Sequence, residues 1–249
     1  MRIARIQTAE GITPVVELNG EWAEVDSVTT RHLVPGGRRL PLDGVKFAAP
    51  CEPRVVWGML HNGIGDTSAP PQAFMKSARS VCGDEAPVFI DPQVGAVKGE
   101  GELSIVISHE ARFVAPEAAP DYILGWTIGN DITNMDQAAL DSTRNQAKGG
   151  DNYAPVGPWI ETDLDPLDAR IEVRVDGRLV CDSNTSKLAR NAYEVLSYLS
   201  QYHTLGPGDI IMIGAPQTAF DLFTGQQSQI TIEGLGVLTN TAIKHPLRP

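Results

Sequence analysis

"KGEGELSIVI", residues 98–107, has the alternation of a β-strand and carries two carboxylates within it. Successive side chains point to opposite faces of a strand, so Gly101, Leu103, Ile105 and Ile107 share one face and Glu100, Glu102, Ser104 and Val106 the other. The two glutamates therefore point the same way. Cα atoms two residues apart on a strand are about 6.5–7 Å apart, a gap that two glutamate side chains can close onto one point. Like charges so near repel unless something positive lies between them, which makes a divalent cation the obvious candidate. A solvated pair of acids on an exposed strand face satisfies the same spacing.

Downstream, "YILGWTIGND" (122–131) reads as a second strand, with Tyr122, Leu124, Trp126 and Ile128 on one face and Thr127, Gly129 and Asp131 on the other. Small residues beside Asp131 leave open volume over its face. "KGGDNYAPVGPWI" (148–160) then offers Lys148 next to two glycines, which let backbone approach a ligand, so the ammonium is placed to face an anion or water. In "SKLARNAYEVLSYLSQYHTLGPGD" (186–209), Leu188, Ala192, Val195, Leu196 and Leu199 trace the stripe of an amphipathic helix. Ser186 reads as its N-cap and Gly206-Pro207-Gly208 as its stop. "DIIMIGAP" (209–216) and "SQITIEGLGVLTNTAIK" (228–244) are strand-like, the latter turning at Gly234-Leu235-Gly236.

Upstream, residues 1–45 alternate short β-like runs with turn residues. The two prolines of "FAAPCEPRVVWG" (47–58) then place a boundary near residue 50, giving a small N-terminal β segment (1–50) and a main domain (51–249). Residues 60–95 are rich in Gly, Pro, Asp and Ser without a period, and read as a long irregular loop of the kind that forms a lid or a site wall. Strands dominate and helices are few, so the expected class is α+β and β-rich. A doubly wound α/β sheet needs a helix after most strands, and those are missing.

A chain of 249 residues with 42% hydrophobic and 20% charged residues can bury a full core. Its net charge of -11, with no basic run, argues against nucleic acid or an anionic membrane surface as partner. No signal-peptide pattern and no window of about 18 apolar residues occurs, so no membrane span is expected. Cys51, Cys82 and Cys181 are widely spaced with no CxxC pair, which suits the reduced cytoplasm. His32, His109, His203 and His245 show no zinc spacing such as HExxH. "GEGEL" enters a strand, not a helix, and is no dinucleotide fingerprint; there is no GxSxG elbow.

Six stretches in order, the ExE strand, "GWTIGND", "KGGDNYAPVGPW", "VDGRLVCDSNTS", "YEVLSYLSQYHTLGPGD" and "IEGLGVLTN", make the chain resemble the fumarylacetoacetate hydrolase family over roughly residues 50–245. The resemblance implies a mixed β-roll or sandwich with few helices and a homodimer. It further implies Mg2+ or Mn2+ held by Glu100, Glu102 and Asp131, with Lys148 as the active-site lysine. Oxygen-only ligands suit such a hard cation and leave positions for water or substrate. A small anionic 2-oxo acid is the implied substrate class, since it can chelate the ion through carboxylate and keto oxygens.

Departures from the family pattern fall on the substrate half. Hydrolytic members carry GxNYxxHxxE, where this chain has "GMLHNGIGD": Gly58 aligns, His61 stands at the tyrosine and Ile64 at the histidine. His61 is the remaining candidate base. The family's TGTP turn is Ile213-Gly214-Ala215-Pro216, Met135 replaces an arginine and Cys181 a glutamine. The leading expectation is hydrolysis of a C–C bond in an acylpyruvate-type acid. Its rival is decarboxylation or keto–enol isomerisation at the same centre, neither of which needs activated water. A member that binds a metabolite without catalysis is a third reading, opposed by the presence of all four polar groups in one costly cluster.

Overall fold

The strand Val97–Ile107 is flanked on both edges along most of its length, and the molecule is arranged around it. On one side Gly101–Ile107 runs antiparallel to Ile123–Asn130, and Val97–Lys98 to Thr133–Asn134. On the other, Ser104–Val106 pairs with Ile210–Met212 and Lys98–Glu100 with Ala219–Asp221. The computed structural model describes residues 1–247 apart from 31, 66, 68 and 91–94.

Among the described residues the main path of the large sheet runs Arg39–Pro41, Glu21–Glu24, Gly11–Leu18, Arg2–Thr8, Ala154–Glu161, Ile123–Asn130, Val97–Ile107, Ile210–Met212, Val56–Leu60 and Gln72–Lys76. A second sheet follows the order Arg178–Asn184, Arg170–Val175, Gln227–Ile232, Gly236–Ile243 and Val88–Phe89. This is the β-rich fold with few helices that the sequence predicts. The strands of the N-terminal segment continue the large sheet, with Arg2 opposite Glu161 and Ile3 opposite Ile160.

The two faces of the central strand behave as the alternation requires. Leu103, Ile105 and Ile107 enter the main core with Val173, Ile230 and the apolar stripe of the helix Ala192–Tyr202. A Cβ on Gly101 would lie 3.0 Å from Ile230 and 3.1 Å from Val173, so glycine there lets the second sheet press on the strand's backbone. Val106 faces a second cluster with Met212, Ile3 and Ile160. Glycines of the GEGE run thus meet the core while its glutamates face the opposite way.

Several expectations are corrected. Asn191, not Ser186, caps the helix Ala192–Tyr202: its side chain accepts from the Glu194 backbone while the Glu194 side chain accepts from Asn191 N–H, a capping box. Thr185–Lys187 is a separate 3-10 turn, Leu188 bridges to Ile64 outside the helix, and the helix stops at His203, before Gly206. Leu124 does not share a face with Trp126, because the register shifts between Val106 and Ile107 and sends Leu124 to the second cluster and Ile123 to the main core.

The stretch 60–95 is not irregular throughout. It contains the strand Gln72–Lys76, antiparallel to Val56–Leu60, and the short strands Val81–Cys82 and Val88–Phe89. The pattern was masked by an inversion: Met75 is 56% exposed while Lys76 is buried. Positions 66, 68 and 91–94 of that expected loop lie outside the described residues. All three cysteines are free thiols, and among the described residues no helix is long and apolar enough to cross a membrane.

Candidate metal centre

Glu102 is 2% exposed, and its Oε2 accepts the Gly214 N–H at 2.6 Å. Gly214 has φ +117, and a Cβ there would stand 2.6 Å from the Asn62 carbonyl oxygen, so the donor can come this close only as glycine. Asn62 is itself buried; its Nδ2 donates to the Ile213 and Arg190 carbonyls at 2.5 and 3.0 Å, and its Oδ1 accepts from Arg190 N–H at 2.8 Å. The Arg190 guanidinium then holds the carbonyls of His61 and Ala69 at 3.0 and 2.7 Å. A chain of directed bonds thus runs from the buried carboxylate to the exposed residue His61.

One ligand atom from each of Glu100, Glu102 and Asp131 can be chosen so that all three lie within 4.8 Å of one another. Asp131 follows the strand Ile123–Asn130, and its N–H donates to the Glu100 carbonyl at 2.9 Å, which locks the two ligand-bearing segments in register. The sequence suggests open volume over Asp131. Two lysine side chains fill it. Lys148, ending the short helix Asn145–Lys148, donates to Asp131 Oδ2 and to Glu100 Oε2, the latter at 3.1 Å, with its Nζ 4.7 Å from the centre of the Phe74 ring. Lys76 donates to Asp131 Oδ1 and to the Ile132 carbonyl at 3.0 Å.

Burial, and then the charges of Asp131 and Glu100, push the Glu102 carboxyl well above the usual glutamate range. Burial also opposes ionisation of Asp131, but Lys148 and Lys76 outweigh it and bring its pKa below normal. For Lys148 desolvation disfavours the charge, yet Asp131 and Glu100 more than offset it and the pKa rises. For Lys76 desolvation wins over the attraction of Asp131 and lowers the value to about 8.

These residues fit a hard divalent cation. All three donors are carboxylate oxygens. Among the described residues Glu102 has one hydrogen bond, although an ionised carboxylate offers about four acceptor sites and a buried one needs compensation. With all five groups ionised, three carboxylates against two ammonium groups leave one negative charge, and a dication would turn that balance to one positive.

Of the residues singled out in the sequence, Glu100, Glu102, Asp131 and Lys148 are brought together. His61 is exposed, with φ 56, and its carbonyl is held by Arg190. Ile64 is 38% exposed, and Met135 is equally exposed at the start of the helix Met135–Leu140. Cys181 Sγ donates to the Ala219 carbonyl at 3.5 Å, and Ala219 stands opposite Glu100 in register. Sequence reasoning missed Lys76, Phe74 and Asn62. The available signal was Phe74 and Lys76 two residues apart, an aromatic ring and an ammonium on one strand face.

The profile described as "Fumarylacetoacetate (FAA) hydrolase C-terminal" matches residues 58–243. Protein Rv2993c of Mycobacterium tuberculosis is 33% identical over 98% of each chain. The crystal structure of 5-carboxymethyl-2-hydroxymuconate delta-isomerase from Mycobacterium smegmatis is 34% identical, with a TM-score of 0.92 over 98% of this chain and 100% of that one. Fumarylacetoacetate hydrolase from Exiguobacterium antarcticum is 26% identical with a TM-score of 0.90, covering 98% and 100%. The two solved structures bear enzyme names, and both match along the length of the fold that carries the acidic cluster. The chain belongs to the fumarylacetoacetate hydrolase family.

Proposed function

We propose that the protein is a divalent-cation-dependent enzyme that takes a small anionic 2-oxo acid through its enol, with product formed by moving a double bond or by losing CO2. The observation that carries this reading is the buried cluster, three carboxylates with the Lys148 ammonium against two of them. Mg2+ or Mn2+ held by Glu100, Glu102 and Asp131 would supply Lewis acidity at the substrate's carboxylate and keto oxygens. The chain's own contribution is electrostatic. Asp131 and Glu100 raise the Lys148 pKa, which favours its ammonium form, and an ammonium in a poorly hydrated site stabilises negative charge growing on an enol oxygen. The face of the Phe74 ring supports that ammonium from one side.

Isomerisation or decarboxylation is favoured because the position of the family's water-activating histidine is Ile64, an apolar residue, and neither reaction needs an activated water. Similarity to the M. smegmatis isomerase supports the same choice. Hydrolysis of an acylpyruvate is the second reading. His61 favours it, since its backbone is held at the rim two hydrogen-bonded steps from Glu102 through Asn62 and Gly214.

The discriminating experiment gives the Mn2+-loaded protein oxaloacetate, a 2-hydroxydienoate diacid and acetylpyruvate, with separate readings of CO2, dienol absorbance and diketone absorbance. The expected result is CO2 release or ketonisation that His61→Ala leaves nearly intact. Diketone cleavage abolished by His61→Ala moves the assignment to hydrolysis. Absence of turnover on all three, together with no Mn2+-dependent rise in melting temperature, overturns both.

A further inference from the structure

Two ammonium groups share one carboxylate, while the chemistry above uses only Lys148. Their surroundings differ. The Lys76 side chain is 0% exposed, and its ammonium is bonded to Asp131 Oδ1 and to the carbonyl of the next residue, Ile132, at 3.0 Å. Lys148 takes the other oxygen, Oδ2, and reaches outward to Glu100, whose side chain is 29% exposed. Lys76 is therefore tied to two consecutive residues of one segment, which fixes the Asp131 carboxylate against its own backbone. Lys148 is tied to two carboxylates of the proposed ligand set and to a ring face, contacts that a substrate anion can exchange.

We propose that Lys76 is the positioning residue of the centre: by gripping Asp131 Oδ1 it turns Oδ2 towards Glu100 and Glu102, and it leaves Lys148 as the lysine that meets the substrate. The inference rests on the cluster being a cation site. It makes a prediction whose sign is opposite to that of charge alone. An ammonium beside a dication repels it, so neutralising Lys76 would tighten ion binding if the residue acted only through its charge. Loss of a group that orients a ligand weakens binding, typically by about 10–100-fold.

The test measures Mn2+ affinity by calorimetry, the electron paramagnetic resonance line shape of bound Mn2+, and oxalate binding to the Mn2+-loaded protein, for wild type, Lys76→Met, Lys76→Arg and Lys148→Met. Lys76→Met is expected to weaken Mn2+ by about tenfold or more and to alter the line shape, with Lys76→Arg recovering part of the affinity. Lys148→Met is expected to keep Mn2+ binding and its line shape while losing most oxalate affinity. Mn2+ bound by Lys76→Met as tightly as by wild type, or more tightly, with the same line shape overturns the proposal. So does loss of Mn2+ from Lys148→Met equal to that from Lys76→Met. Should circular dichroism show Lys76→Met unfolded, Lys76→Arg decides alone: a changed line shape supports the assignment and an unchanged one removes it. Wild-type protein that binds no Mn2+ removes the cation site itself, a different failure from wild type that binds while Lys76→Met is unaffected.

Discussion

Glu102 is a carboxylate buried beside two others, so its ionised form is unfavourable until a cation arrives. Glu102→Gln keeps the shape and an acceptor for the Gly214 N–H while removing the charge. It should raise the melting temperature of the ion-free protein and abolish the rise expected with Mn2+ in wild type, both visible in one thermal-shift series. The pH dependence has a fixed sign. Because the folded-state pKa lies above the unfolded value, the folded chain binds the proton more tightly, and ion-free stability falls as pH rises from the ordinary glutamate range through the raised value. Ion binding must displace that proton, so Mn2+ affinity should weaken as pH is lowered, with proton release appearing as a dependence of the calorimetric heat on the buffer. A heat independent of buffer would contradict it. At this scale Glu100 and Glu102 are legible because period two puts both on one face. Lys76 is not, because burying an ammonium depends on Asp131, which lies 55 residues away in the chain.

Regular elements are legible where propensity, period and cap agree. The central strand is of this kind: apolar side chains alternate with polar ones and the predicted faces are found. The helix start is misread because Leu188 extends the apolar stripe while its backbone bridges to Ile64 instead. Asn191-Ala192-Tyr193-Glu194 spells the true cap in local residues alone. Asn191→Ala should therefore cost about 1 kcal/mol in urea unfolding, whereas Ser186→Ala should leave the midpoint nearly unchanged. The strand Gln72–Lys76 shows the reverse case, in which tertiary contacts of Phe74 and Lys76 impose an extended backbone on a sequence with an outward methionine.

The whole molecule carries a net charge of -11, and the proposed dication would turn its acidic centre positive. The proposed anionic substrate would thus be repelled at long range and attracted at short range, and salt screens the first far more than the second. Steady-state kcat/KM for a dianionic 2-oxo acid should rise modestly as ionic strength increases; a steep fall would mean that steering by an exposed basic surface dominates. The pairing of Val97–Ile107 on both edges has a further consequence. A strand enclosed this way opens only when its neighbours open, so its amide protons should be among the slowest to exchange with deuterium. Two of the three acidic oxygens hang from that strand, so release of the proposed cation would call for side-chain rotation and not for opening of the sheet: the grip would loosen without the scaffold noticing.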